Sequence, residues 1–415
     1  MQKRRLVCLL LVCLLTMGLS VGCGKKEKPT GTEVKLDHEN EELVPEAGAS
    51  LIVWESEGPE KDFVEYAIDE FNKKYPDVSI EYQPVGHTDS TDKIELDGPN
   101  GEGADVFAAP HDKLGRLVTA GLVLENNLLS SDEFVEAAVK ATTYDGKMYG
   151  YPTGIETYAL FYNKDIVDTP VKTFEEIVEF SKTFNDPSSN RFALMWEAAN
   201  AYYNYCFLGG YGADLFGPDG TDKNILGFNS QNGIDAMNFF QSLRAVYDVE
   251  AADAIWDPMM LGFKEGKAAY MINGPWAIQG LKDENINFGI TELPLLPNGE
   301  HPKSFSGIRG NYVSSFTEYP NAARLFAAFM SSDEMLKKRF EITSQIPPRK
   351  NIEISDELIK SILEQAKYAV PMPSIPEMDS YWPTMGGAFS NIWNGADVES
   401  ELEAAASAMR ESFKD

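Results

Sequence analysis

The chain has 415 residues, long enough for two domains, and 43% of them are hydrophobic, enough for sizeable cores. Its 65 acidic and 36 basic residues give a formal net charge of −29, which excludes a surface that attracts nucleic acid or anionic lipid head groups. With only four cysteines and four histidines, disulfide, zinc and nucleophile chemistry have little to stand on.

The opening "MQKRRLVCLLLVCLLTMGLSVGC" joins three basic residues to an apolar run and ends in small residues, which predicts a signal peptide over 1–22. "LSVGC" resembles a bacterial lipobox, so Cys23 is the expected lipidation site and the new N-terminus, although Ser20 stands where leucine is usual. Cys8 and Cys13 leave with the signal, so only Cys206 remains in the body and no internal disulfide is expected. Residues 23–49 are polar and charged, and are expected to form a disordered tether.

Ordered structure is predicted from "SLIVW" (Ser50–Trp54), an apolar run of strand character. Pro59 suits a first helical turn, with Phe63, Tyr66, Ala67 and Phe71 at helical spacing, and "VSIEY" (Val78–Tyr82) alternates as a strand. This βαβ opening points to an α/β protein. Downstream, Thr173 and Glu176 have capping-box spacing ahead of an amphipathic helix, and Asn321–Met330 and Glu399–Phe413 read as further helices.

No enzyme is indicated. No histidine pair has the H-E-x-x-H spacing, no G-x-S-x-G occurs, and no signature selects one carboxylate pair for glycoside hydrolysis. No metal and no cofactor are expected. Aromatic residues are more informative. Trp276 follows Asn273-Gly274-Pro275, Tyr381 and Trp382 precede Pro383 at what reads as a loop-to-helix junction, and Tyr202, Tyr203 and Tyr205 cluster. Each alone suits packing; together they suit a platform for the apolar faces of a sugar, whose hydroxyls carboxylates and amides would take.

Five blocks, "FAAPHDKLGRLVTAGLV", "YPTGIETYALFYNKDIV", "FKEGKAAYMINGPWAI", "FGITELPLLPNG" and "MPSIPEMDSYW", together resemble the maltose/maltodextrin-binding proteins of ABC importers, from about Leu51 to the C-terminus. The resemblance implies an α/β, two-lobed periplasmic-binding-protein-like fold with three hinge crossings. Lobe one would comprise 50–153 and 306–353, and lobe two 159–305 and 354–415. It also implies a monomer that binds a maltodextrin-type oligosaccharide, serves ABC transporter membrane subunits and contacts the membrane through its lipid anchor alone. Its place would be the extracellular face of the cell membrane of a Gram-positive bacterium, with no nucleic-acid partner.

Carried over by position, Asp112 and Lys113 match polar grips of lobe one, Glu156 the hinge carboxylate, and Tyr202, Trp276 and Trp382 the aromatic platform of lobe two. The resemblance leaves rival readings open, with Asp112 as a helix N-cap and Glu156 as a buried hinge lock. Glu55 and Glu57 would be either ligand contacts or solvated loop acids. His111 is expected to order its loop by bonding backbone. Three positions depart from the family pattern. Asn200 replaces a carboxylate and Gly386 an arginine, and Ala109 replaces a stacking tryptophan of lobe one, which implies a roomier cleft or one whose aromatic contacts come mainly from lobe two.

Overall fold

The computed structural model describes residues 43–414. The expected signal peptide, the lipid-bearing Cys23 and the tether up to residue 42 lie outside the described residues. Packing begins before Ser50, so the expected tether ends earlier than residue 49. Ala49 is buried, and the Glu46 carboxylate accepts the free N–H groups of Asn321 (2.8 Å) and Ala322 (3.0 Å) at a helix N-terminus. A carboxylate there satisfies orphan donors and meets the positive end of the helix dipole.

The described strands are β1 (Ser50–Glu55), β2 (Ser79–Pro84), β3 (Val106–Pro110), β4 (Thr143–Tyr144), β5 (Lys147–Met148) and β6 (Tyr151–Glu156). They continue as β7 (Ala159–Asn163), β8 (Phe192–Met195), β9 (Ala268–Asn273), β10 (Phe288–Thr291), β11 (Phe305–Val313) and β12 (Val370–Pro371). One sheet runs in the order β2–β1–β3–β11–β12, with β6 also on β11. The second runs β10–β7–β9–β8. We call the body around the first sheet lobe one and that around the second lobe two.

The predicted βαβ unit is present. β1 and β2 pair in parallel, and the helix Pro59–Lys74 between them buries Phe63, Val64, Ala67 and Phe71. Lobe two has the broader apolar core. All six residues of β9 are buried, and Trp196 and Trp393 meet edge-on at 5.1 Å beneath the helices. The helix Phe174–Phe184 starts where its capping box predicts, with Thr173 and Glu176 bonding each other's backbone N–H.

Three passages of chain run side by side between the sheets. β6 leads through Thr157 and Tyr158 into β7, and the Thr157 hydroxyl donates to the Phe305 carbonyl at 2.9 Å where β11 begins. The third passage is tied in by the Ile155 N–H, which donates to the Ile346 carbonyl at 2.8 Å. Among the described residues, no helix is long and apolar enough to cross a membrane.

Candidate functional site

A cleft of about 620 Å³ opens between the lobes, with the three passages as its floor. Its walls differ in chemistry. Lobe one contributes polar groups, Ser56, Glu60, His87, Thr88, Asp112 and Lys113. Lobe two contributes rings, Tyr202, Tyr203, Trp256, Trp276 and Trp382, beside Glu197 and Asn200.

The polar wall is built at strand ends. β3 carries its chain to the cleft and finishes in the tight turn His111–Lys113. His111 is buried, and Nδ1 accepts the Ile308 N–H at 3.1 Å while the other ring nitrogen lies 3.0 Å from the Met372 carbonyl. With Nδ1 accepting, Nε2 carries the proton and donates, so the ring is neutral, and burial pulls its pKa down to about 4. This is the loop-ordering role expected for His111.

Asp112 caps no helix. Its carboxylate accepts the Trp382 indole N–H across the cleft at 3.0 Å, and burial raises its pKa to about 6 against the opposing pull of Lys113 and that indole. Lys113 reaches Asp379 on the far lobe at 2.6 Å, and Arg116 reaches the same carboxylate at 3.1 Å. The backbones also meet here, with the Gly115 N–H donating to the Ser374 carbonyl at 3.1 Å. A Cβ on Gly115 would lie 2.4 Å from that oxygen, so the approach needs glycine.

The floor holds a buried ion cluster. Arg309 on β11 donates to Glu55 on β1 (2.5 Å) and to Glu156 at the end of β6 (3.2 Å). Burial alone would push the Glu55 carboxyl up, but Arg309 and Arg339 outweigh it and hold it at about 2. Burial opposes ionisation of Glu156 as well, and Arg309 and His87 overcome it, so that carboxyl too stays below its ordinary range. Glu156 Oε1 also accepts from Gln345 at 3.1 Å, while Oε2 takes no bond from the described residues. Glu156 is thus both a member of this buried ion cluster and part of the cleft lining.

Each ring of the aromatic wall has a local cause. Asn200 caps the helix Ala201–Gly210 through the Tyr202 N–H (3.0 Å), which sets Tyr202 in the first turn, facing the floor. The Tyr202 hydroxyl is buried with no partner among the described residues, and burial, with Glu156 and Asp112 nearby, raises its pKa well above the ordinary value. Trp276 lies back over Gly274, where a Cβ would fall 2.2 Å from the indole. Trp382 stands inside a helix, Met378–Trp393, rather than at a junction. That helix starts four residues ahead of Trp382 and carries Pro383 within it. Tyr381 and Tyr205 point into the core, Tyr205 stacked on Phe305 at 3.7 Å.

The structure therefore brings Asp112, Lys113, Glu156, Tyr202, Trp276 and Trp382 to one cleft. It does not bring Glu55 or Glu57 there. Glu55 is turned inward to its arginines, because a charge 2% exposed must be paired, and Glu57 is exposed outside the cleft lining. Ala109 also lies apart from the cleft, fully buried on β3 among Trp54, Phe107 and Leu114, where a larger ring would disturb the core. Glu197 lines the cleft three residues before Asn200, so a carboxylate is present on that wall after all. No local pattern marks Glu60, His87, Trp256, Arg309 or Gln345, which reach the cleft through the packing of distant segments. Gly386 has only the Ala199 carbonyl near it and supplies nothing.

Residues 66–363 match the family described as bacterial extracellular solute-binding protein. The Galactooligosaccharide-binding protein of Bacillus subtilis (strain 168) is 30% identical over 391 residues, 88% of this chain and 90% of that one. The Maltodextrin-binding protein MdxE of the same strain is 30% identical over 379 residues, 86% of this chain and 88% of that one. A solved cyclo/maltodextrin-binding protein complexed with maltotetraose shares 35% identity, with a TM-score of 0.74 over 88% of this chain and 97% of that one. With the family matched over most of the chain, and with a cleft of opposed polar and aromatic walls between two lobes, the chain belongs to the bacterial extracellular solute-binding proteins, which bind rather than transform their ligands.

Proposed function

We propose that this protein captures a maltodextrin-type oligosaccharide outside the cell and hands it to the membrane subunits of an ABC importer. It would act as a monomer held to the membrane by lipid on Cys23. The observation that carries the reading is the division of the cleft into a wall of rings and a wall of carboxylates and cations. A pyranose has apolar C–H faces and a rim of hydroxyls, and such a cleft meets both at once. In this reading Trp276, Trp382 and Tyr202 take the faces, while Asp112, Lys113 and Glu156 take hydroxyls.

The mechanism is a population shift. A ligand that touches both walls binds the closed arrangement better than the open one and draws the equilibrium toward it. The crossings near 154–158, 305–307 and 350–356 are the proposed hinge. Glu156 and Arg309, buried in one ion cluster, stiffen the lobe-one end of the first two crossings, so the turning falls on the residues between that cluster and lobe two, 157–158 and 305–307.

A second reading, a galactooligosaccharide ligand, draws on the equal identity to the Bacillus subtilis relative of that name. Calorimetry with maltose, maltotriose, longer maltodextrins and galactooligosaccharides separates the two. Heat from the maltodextrins and silence from the galactosides is the expected result. The reverse pattern would replace the ligand and keep the class. Trp276→Ala should weaken binding by roughly one to a few kcal/mol, the loss of one desolvated aromatic contact.

A further inference from the structure

The charges that line the cleft do not cancel. Four carboxylates, those of Glu60, Asp112, Glu156 and Glu197, stand against two cations, Lys113 and Arg309. Both cations are already committed. Arg309 pairs with Glu156 and with Glu55, and Lys113 with Asp379, the last two carboxylates lying outside the lining. Asp112 has Lys113 at 3.9 Å, whereas Glu60 and Glu197 have no cation within 4.0 Å among the described residues. His87 adds no charge, because burial, helped by Arg309, holds its pKa down at about 4.

The two unpaired acids come from opposite walls. Glu60 stands in the first turn of the helix Pro59–Lys74, whose dipole favours its ionised form. Glu197 lies two residues past β8 on lobe two. Both are half-buried, so salt and water screen them less than they would on an open surface. Burial raises both carboxyls above their ordinary range, against the pull of Arg309 and Arg339 on Glu60. A carboxylate without a counter-charge accepts a hydroxyl, accepts an ammonium more strongly, and repels another anion. We infer that the cleft selects its oligosaccharide by charge, with Glu60 and Glu197 as the determinants. Neutral chains enter, chains bearing an amine are held more tightly, and chains bearing a carboxylate or phosphate are turned away. The inference rests on the oligosaccharide reading of the cleft.

The test is titration calorimetry at about pH 8, where carboxylates are ionised, with maltotriose and four derivatives of it. In these the C6 hydroxyl of either terminal unit is replaced by an amine or oxidised to a carboxylate. The amine and the acid at one carbon are similar in size, so their ratio reads charge rather than fit. The acid should bind about tenfold or more weakly than the amine at one end at least, and added salt should shrink that ratio. The double variant Glu60→Gln, Glu197→Gln should shrink it at low salt as well, whatever happens to maltotriose itself. An unchanged melting temperature shows that the variant is folded, and the salt dependence of wild type decides the matter if it is not. Acid and amine bound alike at both ends, or a ratio indifferent to salt, overturns selection by charge while the oligosaccharide reading stands. A ratio unchanged in the folded double variant overturns the assignment to Glu60 and Glu197. If galactooligosaccharides bind in place of maltotriose, the same derivatives of that series are used. If neither series binds, the oligosaccharide reading fails and the selection with it.

Discussion

Asp112 shows how one side chain carries a testable chemistry. Its unliganded pKa of about 6 comes from burial, and sugar hydroxyls donating to the ionised form would lower it in the complex. The complex then holds fewer protons than the free protein, so affinity is full above pH 6 and falls as pH drops through it. Titration between about pH 8 and pH 5 should show this loss, and Asp112→Asn should abolish the pH dependence while binding more weakly at neutral pH. Glu55 is shifted the other way, although its effect too is lost on acidification. Its folded pKa is depressed to about 2, so its stabilising effect is present above the ordinary value of 4.5 and is lost as pH falls from there toward 2. Glu55→Ala leaves Arg309 and Arg339 short of a buried counter-charge and should lower unfolding stability by about 3–5 kcal/mol in urea titration. The motifs that pointed to Asp112, Glu156 and the three rings were legible because they sit in contiguous blocks. Glu55, open as a ligand contact or a solvated loop acid, is instead buried against its arginines, which could not be read locally because one of them lies 254 residues away.

Among elements, the turn His111–Lys113 and the helix Met378–Trp393 form a latch across the cleft mouth. Lys113 and Arg116 share Asp379, Trp382 donates to Asp112, and Gly115 meets Ser374. In the proposed closure these contacts would favour the closed arrangement before any ligand arrives, each partly exposed pair contributing about 0.2–1 kcal/mol. Asp379→Ala should therefore enlarge the open fraction, seen as a larger unliganded radius of gyration in small-angle scattering, and should weaken ligand binding up to roughly fivefold. Added salt should produce the same shift in wild type and little change in the variant. An unaltered radius in the variant would show that the latch carries no weight. The helix start at Met378 was not foreseen because Pro383 suggests a first turn. Tertiary packing carries the helix through it, with Tyr381 buried and its hydroxyl bonded to the Ala201 carbonyl.

For the whole molecule, a ligand that binds only the folded, closed form stabilises it by mass action. A ligand at 100 times its dissociation constant should add about 2.7 kcal/mol and raise the melting temperature by several degrees, together with a smaller radius of gyration. A thermal shift without compaction would contradict lobe closure. The sequence by itself determined the α/β class, the βαβ opening, the capped helices and the two-lobed family. Those signals are periodicity, caps and contiguous motifs, which act over a few residues. Only the tertiary structure decided which acids face the cleft and which face inward, that Ala109 belongs to a core, and that Glu197 supplies a carboxylate. The reason is physical. Whether a charge is a ligand group or a structural ion depends on the dielectric and the counter-charges around it, and the fold assembles these from segments hundreds of residues apart.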